Sequence, residues 1–138
     1  MNIGILGATG LVGQTFLDLL KDSALPVSDL YLFASEKSQG QKIKFKSKDY
    51  TVDVISEEAL KKLDLLFIAT GDDLSRHWSP IAVKHGCYVV DNSAAFRMNP
   101  ECALVVPEVN PETIKAGQAQ IIANPNCSTI QLTLPLKA

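Results

Sequence analysis

Asn2-Ile3-Gly4-Ile5-Leu6-Gly7-Ala8-Thr9-Gly10-Leu11-Val12-Gly13 is the stretch on which the fold turns. The short run at 3–6 reads as a buried strand. Glycines spaced as GxxGxxG follow it directly, and Leu11, Val12, Phe16, Leu19 and Leu20 then recur at helical spacing, with Asp18 and Lys21 on the other face. Strand, glycine turn and amphipathic helix in that order form a dinucleotide fingerprint. Gly7, Gly10 and Gly13 permit a tight turn and let main-chain N–H groups approach a pyrophosphate at the helix N-terminus, where the dipole favours negative charge. Glycine-rich turns also arise for steric reasons alone, so the spacing is weak by itself and gains weight from its place between strand and helix.

Outward from this turn, β-rich runs alternate with helix-like segments, the strands falling near 2–6, 29–34, 63–69, 87–91, 103–106 and 119–123. That alternation predicts a Rossmann-like, doubly wound α/β fold with a mostly parallel sheet and flanking helices. Helices are expected at 73–85, ending at Gly86, and at 111–116, opened by Pro111 and closed by Gly117. Residues 41–55 break the rhythm. Lys42 to Lys46 and Tyr50 to Val54 alternate with period two around a polar turn at 47–49, so a small β-hairpin is expected in place of one crossover helix.

With 138 residues the chain fits one domain, 1–138, large enough to bury roughly two thirds of its unfolded surface. Apolar residues at 46% and charged residues at 20% give the balance of a soluble globular protein. A net charge of -2 offers no footprint for nucleic acid, and no stretch approaches the roughly 18 apolar residues of a membrane span. No secretory signal precedes the first strand, so the cytoplasm is the expected location. Cys87, Cys102 and Cys127 are odd in number and lack CxxC spacing, which suggests neither a disulfide framework nor a metal site. Leu132, Leu134 and Leu136 flank Pro135 just before the chain ends at Ala138, and that apolar ending reads as a truncation.

Cofactor choice belongs at the end of the second strand, where an acidic residue would grip the ribose 2′-hydroxyl of NAD. The segment here is Ala34-Ser35-Glu36-Lys37-Ser38-Gln39-Gly40. Two hydroxyls and a cation suit the 2′-phosphate of NADP better, while Glu36 is the residue that would favour NAD. The alternative is an ordinary solvated loop.

The last strand runs into Asn124-Pro125-Asn126-Cys127-Ser128-Thr129-Ile130-Gln131, with a helix expected from 127 onward. At such a helix start, free N–H groups and the dipole favour thiolate over thiol and offer donors for an oxyanion. A lone cysteine is more often a small buried apolar residue, and Cys87, at the start of a core strand, fits that description. Cys102 lies in an ordinary loop. Cys127 differs in being surrounded by polar, turn-forming residues at a strand-to-helix junction, at the sheet edge where the glycine turn also falls. Asp91 to Arg97 follow another strand at this edge, and Arg97 reads either as an anion clamp or as a surface arginine. His77 and His85 fall in a helix away from the strand ends, and Trp78 reads as packing.

Gly7 to Gly13, the Ser35-Lys37-Ser38 loop, Asp91 to Arg97, Val105 to Asn110 and Asn124 to Gln131 together resemble the aspartate-semialdehyde dehydrogenase family, along essentially the whole chain. The Asn-Pro-Asn-Cys-Ser-Thr-Ile-Gln string is the most specific part. The resemblance implies NADPH-dependent reduction of L-4-aspartyl phosphate to aspartate semialdehyde and phosphate, with Cys127 as the nucleophile that forms a thioester. It makes Thr9, Gly10, Leu11 and Val12 the phosphate-binding turn, Ser35, Lys37 and Ser38 the NADP-selective contacts, Arg97 the phosphate-binding arginine, and Asn126 a neighbour of the nucleophile that helps hold phosphate. It also implies a homodimer or homotetramer, and a second domain that supplies an acid–base histidine and an arginine for the substrate carboxylate. Where family members often carry small residues after Thr70, this chain has Gly71-Asp72-Asp73, two carboxylates unfavourable beside a pyrophosphate. N-acetyl-gamma-glutamyl-phosphate reductases share the general plan and are the alternative enzyme, and a non-catalytic nucleotide-binding module is the alternative outside enzymes.

Overall fold

The computed structural model describes residues 1–114 and 119–137. Eight strands form one sheet: β1 (Asn2–Leu6), β2 (Asp29–Phe33), β3 (Lys42–Phe45), β4 (Lys48–Asp53), β5 (Leu65–Ile68), β6 (Tyr88–Asp91), β7 (Ala103–Leu104) and β8 (Ile121–Ala123). Their order is β3-β4-β2-β1-β5-β6-β8-β7, and every pairing is parallel except β3 with β4. Four helices accompany them: α1 (Leu11–Lys21), α2 (Glu57–Leu60), α3 (Asp72–Lys84) and α4 (Cys127–Lys137). The expected doubly wound α/β architecture is therefore present.

Strand alternation divides the core in two. Ile3 and Ile5 of β1 pack with Leu30 and Leu32 of β2 against Leu17 and Leu20 of α1 on one side of the sheet. Leu6, Phe33, Leu66 and Ile68 turn to the other side, where Leu60 and Leu63 around α2 and Ala82 of α3 cover them. A sheet buried on both faces must be apolar on both, which is why these strands read as near-continuous apolar runs. Phe16 of α1 stacks on Phe67 of β5 with ring centroids 4.0 Å apart.

Several boundaries differ from the sequence reading. The hairpin turns at Lys46 and Ser47, not at 47–49: Phe45 pairs with Lys48, and Lys46 adopts φ 54 to close the tight connection. The hairpin also joins the main sheet, because β4 pairs in parallel with β2 through Leu32–Val52 and Phe33–Asp53. The strand expected at 103–106 narrows to Ala103–Leu104: Val105 still donates to the Ala123 carbonyl at 3.2 Å, but the next rung would need an N–H from Pro125, and the Val106 N–H on the free edge goes to Asn110 Oδ1 at 2.8 Å. The helix expected at 111–116 is a single 3-10 turn over Pro111–Thr113, and the remainder of that expectation, with its Gly117 stop, lies outside the described residues. The brief α2 was not anticipated; Ser56 caps it by accepting the Ala59 N–H.

His85, just past α3, is tied to Glu57 of α2 with Nε2 and Oε1 2.7 Å apart. That hydrogen bond holds the Glu57 carboxyl below its usual range. A depressed carboxyl stabilises the fold above its unfolded value near 4.5, and the contribution disappears as pH falls through the lower folded value. Acid unfolding of Glu57→Gln should consequently be less steep below about pH 4.5 than that of the parent, with the two curves parallel near neutrality. Coincident slopes down to the acid limit would remove the pair from any account of acid stability.

Candidate active site

The carboxyl ends of β1 and β5 flank the point where strand order reverses, since the chain moves from β1 toward β2 on one side and from β5 toward β6 on the other. In open α/β sheets this is where a crevice forms. Here it is a cleft of about 530 Å³. Its floor is Leu6, Gly7, Thr9 and Gly10; the β2 end contributes Ala34, Ser35 and Glu36; the β5 end contributes Ala69 and Thr70. Val54, Ile55, Leu74 and Trp78 wall the remainder.

The glycine turn is built by steric necessity. Gly7 has φ +93, and a Cβ there would lie 2.6 Å from the Ala69 carbonyl oxygen. A Cβ on Gly13 would lie 2.3 Å from the Gly7 carbonyl oxygen, so α1 can press onto the end of β1 only if residue 13 is glycine. Gly10 is different, because its Cβ would meet nothing closer than 3.4 Å. Gly10 is the N-cap of α1 and offers no side chain to the helix, which leaves the first N–H groups available to an anion. An apolar cleft ending at uncapped N–H donors fits a dinucleotide: bases against the walls, pyrophosphate at the helix start.

The anticipated cofactor residues divide within this geometry. Gly7, Thr9, Gly10 and Ser35 line the cleft, and Gly13 is buried beneath it. Leu11 and Val12 are exposed and line a neighbouring apolar groove with Thr15, Phe16, Leu19 and Phe67. Lys37 and Ser38 belong to a 3-10 turn, Glu36–Ser38, whose first residue alone reaches the cleft wall. Trp78, which the sequence suggests is packing, serves both purposes: it packs against the core and lines the cleft. Leu74 and Trp78 share one face of α3 at i, i+4 spacing, a signal present in the sequence once α3 is known to follow β5. Thr70 is a further residue that sequence reading passed over. Its Oγ1 is the buried side-chain polar atom without a partner among the described residues.

The first carboxylate after Thr70 also finds a place. Asp72 Oδ1 accepts the Ala94 N–H at 2.9 Å, and Arg76 Nη1 donates to the Ala95 carbonyl at 3.1 Å. The start of α3 is thus fastened to the loop that follows β6. That loop begins at Asp91, fully buried, whose two oxygens accept the Ser93 N–H at 2.9 Å and the Ser93 hydroxyl at 2.8 Å.

Cys127 is the first residue of α4, and it is exposed. Asn126 acts as the cap: its Oδ1 accepts the Ser128 N–H at 3.0 Å, and its carbonyl accepts the Ile130 N–H at 2.9 Å. β8 stands two strands from β5, a lateral offset of about 10 Å, so the sulfur and the cleft share one sheet edge. Arg97 reaches the same loop, donating from Nε to the Asn124 carbonyl at 3.0 Å and from Nη2 to the Asn92 carbonyl at 3.3 Å. The other thiols are in different settings. Burial pushes Cys87 up to about 12, and burial, followed by the nearby Glu101 charge, raises Cys102.

Residues 2–117 match the model of the semialdehyde dehydrogenase NAD-binding domain. The chain belongs to the semialdehyde dehydrogenase family. Among its relatives, an aspartate-semialdehyde dehydrogenase of Aquifex aeolicus is 48% identical over 137 residues, an alignment covering 98% of this chain and 40% of the relative. A crystal structure of aspartate semialdehyde dehydrogenase II from Vibrio cholerae, complexed with ASA, superposes with TM-score 0.93 at 44% identity, covering 99% of this chain and 45% of that one. The NADP-bound aspartate semialdehyde dehydrogenase of Candida albicans gives TM-score 0.76 at 30% identity, covering 99% of this chain and 45% of that one. The chain thus spans about two fifths of the length of such relatives. As an NAD-binding domain of this family it carries a nicotinamide dinucleotide site, and no helix among its described residues is long and apolar enough to cross a membrane.

Proposed function

We propose that this chain is the NADP-binding, cysteine-bearing part of an aspartate-semialdehyde dehydrogenase, a phosphorylating aldehyde dehydrogenase of amino-acid biosynthesis leading to lysine through diaminopimelate, threonine and methionine. The observation that carries the proposal is the common edge: an uncapped helix start with its cleft, and an exposed cysteine opening a second helix, in a chain of this family. The bound cofactor would supply hydride. Gly7, Thr9, Gly10 and the first N–H groups of α1, including those of Leu11, Val12 and Gly13, would hold the pyrophosphate. Ser35, Lys37 and Ser38 would meet the 2′-phosphate.

The chemistry assigned to the chain's own residues is acyl transfer. The Cys127 sulfur attacks the acyl carbon of aspartyl phosphate, a C–S bond forms, the C–O bond to phosphate breaks, and phosphate leaves toward Arg97 and Asn126. Arg97 is suited to this because its guanidinium recognises phosphate and is already fixed by two carbonyls. The hydride that a bound cofactor would supply would turn the thioester into the aldehyde, freeing the Cys127 sulfur as thiolate. The acid–base histidine, the arginine for the substrate carboxylate and the dimer contact are assigned to a second domain outside these residues, so the 138-residue chain is expected to be inactive by itself.

Nucleotide titration together with thiol mapping tests this reading. NADP should bind more tightly than NAD, and iodoacetamide should label Cys127 before Cys87 or Cys102, whose thiols are held in the neutral form. Cys127→Ala should remove the fast-labelling site and leave nucleotide affinity in place. Equal labelling of all three thiols would refute the nucleophile assignment, and phosphate-dependent NADPH formation by the isolated chain would refute its division of labour.

A further inference from the structure

The strands that carry the phosphate-binding arginine and the cysteine part company just before the chemistry. β6 and β8 pair as far as Asp91 and Ala123, and the Asn124 N–H donating to the Asp91 carbonyl at 2.8 Å is their last main-chain rung among the described residues. Beyond it the two chains would separate as ordinary loops. Side chains take over instead. Asn124 Nδ2 donates to Asn92 Oδ1 at 2.6 Å, partly buried, and Arg97 grips the main-chain carbonyls of the same two residues. A triangle is thereby closed three residues upstream of Cys127.

Resting on the functional reading above, we infer that Asn92 and Asn124 are positioning residues whose side-chain bridge holds the cysteine loop against the Arg97 loop, fixing the thiol relative to the guanidinium. Each amide supplies one rigid partner atom from a short side chain, so little rotamer freedom is lost when the bridge forms. A carboxylate at position 92 would still accept the bond but place a negative charge where an anionic substrate must arrive. A neutral pair avoids that repulsion. Partial burial strengthens the bond relative to one in water. Arg97 accordingly has two duties: two of its nitrogens hold the backbone, and its remaining N–H groups are left to meet an anion.

The test compares alkylation of Cys127 by iodoacetate and by neutral iodoacetamide in the 138-residue chain, read on the peptide that contains Cys127. Asn92→Ala and Asn124→Ala should each lower the iodoacetate-to-iodoacetamide rate ratio about fivefold by loosening Arg97 from the sulfur. The double variant should show no further fall, because the two residues act as a unit. A purely structural role would lower the melting temperature and slow both reagents equally. An unchanged ratio in folded alanine variants, or additive losses in the double, would overturn the inference. If the alanine variants fail to fold, Asn92→Asp is compared with Asn92→Asp/Asn124→Ser, which carries the same charge but a side chain too short to bridge: a lower iodoacetate-to-iodoacetamide ratio in the double variant supports the bridge, and equal ratios overturn it. Failure of the functional reading would appear separately, in the NADP titration of the parent chain.

Discussion

Gly13→Ala is expected to cost about 3 kcal/mol of folding stability, whereas Gly10→Ala should cost under about 1 kcal/mol and yet weaken NADP binding at least tenfold. The difference follows from what each added methyl meets. At residue 13 it falls 2.3 Å from the Gly7 carbonyl oxygen and 2.9 Å from the Ala8 Cα, both backbone atoms that cannot swing aside. Helix α1 must then lift from the end of β1, uncovering Ile3 and Ile5 where Leu17 and Leu20 now pack. At residue 10 the nearest atom is 3.4 Å away, an ordinary contact, and the extended backbone there suits any residue. That methyl would instead fill the space through which a pyrophosphate approaches the helix start. Thermal melts and nucleotide titrations of the two variants separate these effects. A Gly13→Ala protein melting with the parent would show that the glycine is not there for helix–strand packing.

This division explains how much of the fold was legible in the sequence. The glycine spacing specifies β1, the turn and α1 because each glycine answers a local steric demand. Leu65 to Ile68 is equally legible, since a strand covered on both faces declares itself as an apolar run. What local pattern does not encode is what the neighbouring strand can offer. The strand expected through Val106 ends at Leu104 because, after Val105 donates to the Ala123 carbonyl at 3.2 Å, the register calls next for an N–H from residue 125, and Pro125 has none. Polarity alone likewise misplaced the hairpin turn, because the two-residue connection at Lys46–Ser47 is set by cross-strand register and by a left-handed Lys46.

The candidate site is legible where chemistry is carried by residue type and hidden where it depends on what neighbours do. Cys127 stands out among three cysteines by its polar surroundings, and it does open an exposed helix start. The cleft walls were hidden, because Trp78 and Leu74 look like any apolar pair on α3 until the helix is set against β5. The structural role of the Asp72 carboxylate was hidden for the same reason. Beside a pyrophosphate it would be unfavourable, but its Oδ1 is engaged with the Ala94 N–H and helps anchor the Arg97 loop.

That loop's anchorage carries the second large effect. Asp91→Ala should destabilise the chain by about 3 kcal/mol, while Asp91→Asn should cost only about 1 kcal/mol. Asp91 is completely buried at the end of β6, and its oxygens accept both the N–H and the hydroxyl of Ser93; the same hydroxyl oxygen accepts the Ala95 N–H at 3.1 Å. Alanine would leave the Ser93 donors in the interior without an acceptor, which is costlier than never having made the bonds. Asparagine keeps one oxygen for the Ser93 N–H, and its amide donates to the hydroxyl oxygen, so the turn survives with one bond reversed. Since Asn92 and Arg97 hang from this turn, Asp91→Ala should also erase the iodoacetate preference at Cys127, and Asp91→Asn should retain most of it. Urea unfolding, with the slope compared between variants, measures the first effect, and the alkylation ratio measures the second. Equal losses from alanine and asparagine would mean that hydrogen-bond acceptance is not what Asp91 contributes, and the loop's order would have to come from packing alone.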